Sequence, residues 1–169
     1  MANLIEGNVG FGAGGLVLTS VRLLNSRGEG TLACRIGQLL KIEITARAAR
    51  AVKRPNLGFA LNALAGELVY SVSALNLGAA LADLASGDIC HAAFELEIAL
   101  APGIYALTVL AAEMSEQPDS NAGLHHDTRE RICLIEVQTT DAPLSFDGVG
   151  QLSASVTQML LPMAQDGLA

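Results

Sequence analysis

Apolar and polar residues alternate along much of this chain with a period of two. In QLLKIEITARA, Leu40, Ile42, Ile44 and Ala46 alternate with Lys41, Glu43, Thr45 and Arg47. HAAFELEIAL repeats the pattern, with Phe94, Leu96 and Ile98 set against Glu95 and Glu97. Side chains of a strand point alternately to its two faces, so each segment reads as a strand with one buried and one wet face. PGIYALTVLAAEM is a further strand introduced by Pro102-Gly103, and RERICLIEVQT is another. NLGFALNALAGELVYSVS reads as two strands around a tight turn at Ala65-Gly66, and LVLTSVRLLNSRGEGT as a strand running into an Asn-Ser-Arg-Gly turn. At least about seven short strands separated by turn signals predict an all-β sandwich.

Three segments break the alternation. ALNLGAALADLASG has imperfectly spaced leucines and an interrupting Gly78, so it reads as a long connection with one helical turn. SEQPDSNAGLHHD reads as a mobile polar loop, and LLPMAQDGLA carries no clear signal. No internal repeat or domain boundary is visible.

Composition narrows the function classes. A chain of 169 residues most naturally forms one domain with a core large enough to need no metal or disulfide staple. The net charge of −7 and pI near 4.8 argue against nucleic acid and against an anionic membrane surface. No apolar run approaches the roughly eighteen residues that span a bilayer, and MANLIEG lacks the basic and apolar regions of a signal peptide. Cys34, Cys90 and Cys133 are widely spaced and form no C-x-x-C motif, so they read as buried reduced thiols of a cytoplasmic protein.

Gly10-Phe11-Gly12-Ala13-Gly14-Gly15 has the G-x-G-x-x-G spacing of a dinucleotide fingerprint. That motif needs a helix after the glycines to hold the pyrophosphate. Here LVLTSVRLL follows, a strand pattern, and no G-K-[ST] completes a Walker A loop. The glycines therefore read as a flexible entry into the first strand.

The same segment, GFGAGGLVLTSVRLLNSRGE, resembles the opening of the C-terminal domain of Wzt-type ABC exporter subunits. IGQLLKIEITARAARAVKRPNLGFALNALAGELVYSVSALNLG is similar to that family's next hairpin region, and LAPGIYALTVLAAE to its Pro-Gly-x-Tyr strand. HDTRERICLIEV and DGVGQL resemble its last strands. The similarity runs in order from Phe11 to Leu152. It implies an immunoglobulin-like antiparallel β-sandwich that binds the end of a lipid-linked O-antigen polysaccharide and selects finished chains for export. It also implies a homodimer, in which the C-terminal strand can be exchanged, and partnership with the transporter's ATPase and membrane subunits at the cytoplasmic side of the inner membrane. The expected organisation is a leader or linker over residues 1–10, a carbohydrate-binding sandwich over 11–155 and a flexible tail over 156–169. The missing P-loop makes this an excised domain or a stand-alone relative.

Candidate chemistry is sparse. His125-His126-Asp127 resembles a metal or acid–base cluster, yet neighbours on a strand point to opposite faces, and no H-x-x-x-H spacing occurs. Glu95 and Glu97 share one strand face, as a glycosidase pair could, but alternating charges are what a solvated face carries. With no G-x-S-x-G elbow, no catalytic residue, metal or cofactor is expected. Sugar binding needs planar hydrogen-bonding groups and an aromatic platform. The chain has no Trp and only two Tyr. Tyr105 alternates with Leu107 and Val109 and reads as core, like a tyrosine corner. Tyr70 is then the candidate platform. The candidate binding face combines Asn62, Tyr70, Ser71, His91, Arg129 and Arg131, with arginine forks suited to acidic or hydroxyl-rich sugars. The alternative is an assembly sandwich without a glycan site, using its edge strands for protein partners.

Overall fold

In the computed structural model the described residues are 3–115, 123–139, 150 and 153–161. They form nine strands in chain order: β1 (Leu16–Asn25), β2 (Ala33–Arg35), β3 (Leu39–Ala48), β4 (Pro55–Ala63), β5 (Leu68–Ser73), β6 (Ile89–Glu97), β7 (Gly103–Met114), β8 (Gly123–Gln138) and β9 (Ser153–Leu161). One turn of 3-10 helix, Leu75–Leu77, lies in the long connection where the sequence places a helical turn. Among the described residues there is no α-helix.

Two sheets face each other. The first has the order β1-β3-β6-β9 and the second β2-β8-β7-β4-β5. Every strand pair is antiparallel except the short β2 beside β8. The immunoglobulin-like sandwich expected from the sequence is thus the fold. The alternation explains the core directly. Leu40, Ile42, Ile44 and Ala46 of β3 and Phe94 and Leu96 of β6 are all buried, while Glu95 and Glu97 are exposed. From the second sheet, Leu57, Phe59, Leu61, Leu107 and Val109 meet them. Phe59 and Phe94 join the layers edge to face, with ring centroids 5.2 Å apart. Each such side chain contributes about 1.5–3 kcal/mol by leaving water. Tyr105 is buried and donates its hydroxyl to the Ala101 carbonyl at 2.7 Å, the tyrosine-corner arrangement.

Three parts differ from the sequence reading. Residues 3–5, within the expected leader, are packed on the sandwich. Ile5 is buried, the Leu4 amide donates to Val21 O, and the Asn3 side chain bonds Thr19 O and Val21 N. The histidine pair stands inside β8, whose residues Gly123–Gln138 are strand. The sequence hides this because the register slips at Ala111/Ala112 and at Leu107/Val109, which breaks the alternation there. β9 pairs with β6 from Ser153 to Leu161, so the ladder runs across residue 155. The polar loop preceding β8 falls largely on residues 116–122, outside the described residues.

The glycine-rich segment is a strap laid across β8. Phe11 bridges Thr128, and the amides of Ala13 and Gly14 donate to the carbonyls of His125 (3.0 Å) and His126 (2.8 Å). Glycine is required for this approach. At Gly12 the backbone has φ +145°, and a Cβ would lie 2.5 Å from the His126 carbonyl. At Gly15 a Cβ would meet the His126 ring at 2.7 Å. Close packing, rather than the expected freedom of motion, is what the glycines supply.

Candidate binding groove

The outer face of the second sheet is built from small residues. Register places Asn56, Ala112 and His125 in one row across β4, β7 and β8. The next row holds Ser73, Gly58 and Leu110, and the one after it Ser71, Ala60 and Thr108. With glycine and alanine along its middle the face is low there, and a groove of about 450 Å³ opens above it. Its polar lining is Arg54, Asn56, Ser71, Ser73, Asn76 and His125, and Leu110, Ala112 and Met114 supply apolar surface.

Each polar group is held by neighbours. The Asn56 Oδ1 accepts the Leu75 amide at 3.1 Å. The Asn76 Oδ1 accepts both the Ser73 amide (3.0 Å) and the Ser73 hydroxyl (2.8 Å). These bonds leave the two Nδ2 groups as the donors available to the groove. The His125 Nδ1 lies 3.4 Å from the Thr128 hydroxyl. Arg54 has φ +44°, one of two non-glycine residues with positive φ among the described residues. Its amide donates to the Asp83 carboxylate at 2.8 Å, its carbonyl accepts the Met114 amide at 3.1 Å, and its guanidinium donates to Ser115 O. A residue held in this sparsely populated conformation needs such over-determination.

The six residues singled out by sequence do not share one face. Ser71 lines the groove. Asn62 lies on the same outer face at the hairpin end, where its Nδ2 donates to Gly66 O at 3.2 Å. Tyr70 pairs with Leu61 on the inner side, and its ring packs on Phe59 with centroids 6.0 Å apart. Burial raises its hydroxyl pKa. Its neighbour Ser71 points the other way, as strand geometry requires. His91 belongs to the other sheet, opposite Thr45, whose hydroxyl lies 3.1 Å from its Nδ1. Burial lowers its pKa, and the nearby Lys41 and Arg22 add to that against Glu43. Arg129 clasps Asp127 through Nε (2.8 Å) and Nη2 (3.1 Å) and donates Nη1 to Asn8 O, fastening the strap. Arg131 is exposed at the Leu107/Val109 bulge, with φ +49° and its amide donating to the Thr108 hydroxyl.

The pair His126 and Asp127 is buried and structural. His126 Nδ1 accepts the Gly15 amide at 3.1 Å, and its Nε2 lies 3.1 Å from Glu113, which also pairs with Arg50. Burial alone would raise the Glu113 pKa, but the Lys53 amide, His126 and Arg50 together hold it below the usual value. Asp127 accepts the Leu18 amide at 2.9 Å. Among the described residues no group of three or more His, Cys, Asp or Glu side chains is placed to hold a metal. The three cysteines are free, and burial pushes each thiol up to about 11.

Sequence reasoning missed Arg54, Asn56, Ser73, Asn76 and His125. The available signal was polar residues at alternate positions of two strands otherwise rich in apolar ones, Asn56 in β4 and Ser71 and Ser73 in β5.

The family model described as the Wzt C-terminal domain matches residues 8–152. A crystal structure of the C-terminal domain of Wzt superposes with a TM-score of 0.71 and 17% sequence identity, covering 85% of this chain and 83% of that chain. No curated protein matches.

Proposed function

The chain belongs to the Wzt C-terminal domain family, and from that premise we propose that it is a non-catalytic glycan-reading domain of an O-antigen exporter. It binds the end of a lipid-linked polysaccharide in the groove of the second sheet and so selects finished chains for export. The observation that carries this reading is the groove itself, about 450 Å³ deep in hydrogen-bonding side chains over a floor of small residues. Sugars present hydroxyls at their rims and C–H surfaces on their faces, which such a lining matches. Without Trp, affinity per sugar is weak, and two sites per homodimer strengthen it where both engage. In this reading the dimer forms by exchange of β9, with the partner's β9 taking the place beside β6. The domain works in the cytoplasm at the inner membrane, with the transporter's ATPase and membrane subunits as partners. No helix among the described residues is long and apolar enough to cross a membrane.

Titration with the delipidated O polysaccharide of the host strain, followed by NMR, tests the proposal. Saturable shifts at Ser71, Ser73, Asn76 and His125 are expected. Absence of binding, together with saturable capture of an exporter subunit lacking this domain, would establish the assembly reading instead. The observation favouring that alternative is β5, an edge strand (LVYSVS) without charge or proline and with Leu68 exposed.

A further inference from the structure

The edge strand β1 has its outward backbone groups taken up by other parts of the chain. At one end Asp127 accepts the Leu18 amide. At the other the Thr31 amide donates to Leu23 O, and the Asn25 amide donates to Glu29 O. Between these ends lies a slot of three backbone groups, Thr19 O, Val21 N and Val21 O, and Asn3 and Leu4 fill it. The Asn3 Nδ2 donates to Thr19 O at 2.8 Å, and its Oδ1 accepts the Val21 amide at 3.0 Å. The Leu4 amide donates to Val21 O at 3.0 Å. A carboxamide presents a carbonyl and N–H groups as a peptide unit does, so the Asn3 side chain serves as a surrogate strand. Ile5 follows and is buried in the core.

A turn with an unmet polar group joins this segment to the glycine strap. Its bonds are local, from the Glu6 amide to Asn3 O and from the Asn8 amide to Ile5 O. Gly7 has φ +76°, a conformation that glycine adopts without cost. The Asn8 Oδ1 is buried and has no hydrogen-bond partner among the described residues. A buried acceptor left unpaired is costly, and opening the turn returns it to water. Val9, the next residue, is 89% exposed. Beyond it Phe11, Ala13 and Gly14 are fixed to β8. A short segment seated in a slot, a hinge with an unmet group and a firm strap behind it make the arrangement from which identical chains exchange an element.

We infer that the Thr19–Val21 edge of β1 is a docking slot for a short Asn-aliphatic-aliphatic segment, filled in cis by Asn3-Leu4-Ile5 and in trans by the same segment of a second copy. The bonds at Leu18 and Leu23 bound the slot at both ends, so it takes a short segment rather than the whole of another β1. The segment already seated there shows the chemistry that fits. Segment and slot are uncharged, so the −7 of each copy opposes approach only at long range, where salt screens it. In cis a short tether holds the segment at an effective concentration of about millimolar, so exchange grows with protein concentration. This contact is separate from β9, which lies at the opposite edge of the same sheet.

The test opens the slot and refills it. In the full chain carrying Asn3→Ala and Ile5→Ala, the Val21 amide should exchange with solvent about tenfold or more faster than in the unaltered chain, read by NMR. A synthetic peptide of residues 2–8, ANLIEGN, should restore its protection saturably, and the same peptide with Asn3→Ala should not. Unlabelled, unaltered chain added to the labelled variant should protect Val21 as the peptide does, at higher concentration. Gly7→Ala in that donor chain places a side chain at φ +76° and should lower the concentration needed about fivefold. If the double variant does not fold, Asn3→Ala alone, which keeps Ile5 in the core, gives both readouts. Unchanged Val21 exchange, no protection by the peptide, or equal protection by the altered peptide overturns the slot. Protection by the peptide without protection by the donor chain overturns the second copy as its occupant.

Discussion

The outer faces of the two sheets are made by the same strand alternation and have opposite characters. On the first sheet, the Glu43 carboxylate takes Arg22 at 2.5 Å and Lys41 at 3.1 Å, and Thr45 meets His91. Lys41 also faces Glu95 across the β3–β6 ladder. These charges find partners on neighbouring strands and leave little directed outward. On the second sheet the middle of the face is Gly58, Ala60 and Ala112, and the polar groups stand around it with donors turned into a groove. A face that satisfies its own polar groups solvates a sandwich. A face that keeps them at the rim of a hollow offers them to a ligand.

Experiments can break this contrast. The largest effect is expected from Gly58→Val. A Cβ there would lie 2.8 Å from Val72 O and 3.0 Å from the Ser73 Cβ, so β5 must shift. A loss of about 1–3 kcal/mol is expected from the overpacking, read as a lower urea midpoint, together with loss of polysaccharide binding. An unchanged midpoint with full binding would show that the low middle of the face is incidental.

Asn76→Ala comes next. It removes the acceptor of both the Ser73 amide and hydroxyl, costing about 1 kcal/mol and weakening glycan binding. Retained binding at unchanged affinity would remove Asn76 from the groove's function.

The first sheet should behave differently. Burial alone would raise the Glu43 pKa, but its bonds to Lys41 and Arg22 lower it overall. A carboxyl with a depressed folded pKa stabilises the fold above its unfolded pKa, and that contribution is lost as pH falls through the folded value. Arg22→Ala should therefore cost less than about 1 kcal/mol near neutral pH, flatten the acid limb of the stability profile, and leave glycan binding untouched. A binding defect in this variant would end the division of labour between the faces.

The smallest change is expected from His91→Gln. Burial lowers the His91 pKa, so below the ordinary histidine value of 6.5 the unfolded chain binds a proton that the folded chain resists. Stability contributed by neutral His91 is present above that value and declines as pH falls. The substitution should reduce the decline seen by thermal melts from neutral to mildly acidic pH. An identical slope would mean that His91 does not carry it.

The sequence made the layers legible and left the groove obscure. Where alternation is unbroken, as at Leu40 to Ala46 and Phe94 to Leu96, one pattern states both the strand and its buried face. Tyr105 was readable because Pro102-Gly103 fixes where its strand starts. The groove joins Arg54, Asn56 and Ser73 of the β4–β5 hairpin region to His125 of β8, which is remote in sequence, and proximity across a sheet depends on register. Bulges at Leu61/Asn62 and in β8 shift that register, and no local pattern announces them. Tyr70 misled because its aromatic ring is the kind a sugar stacks on, whereas Phe59 across the strand pair takes it inward.

The glycine strap has a mechanical consequence for the groove. Ala13 and Gly14 hold the carbonyls of His125 and His126, and Phe11 holds Thr128, all through backbone atoms. Side-chain links have rotamers that absorb displacement, and backbone ladders have none. A displacement of the chain near Gly10 is therefore passed through backbone hydrogen bonds to the β8 residues beside the groove, and a shift of the His125 backbone is passed to the strap by the same bonds.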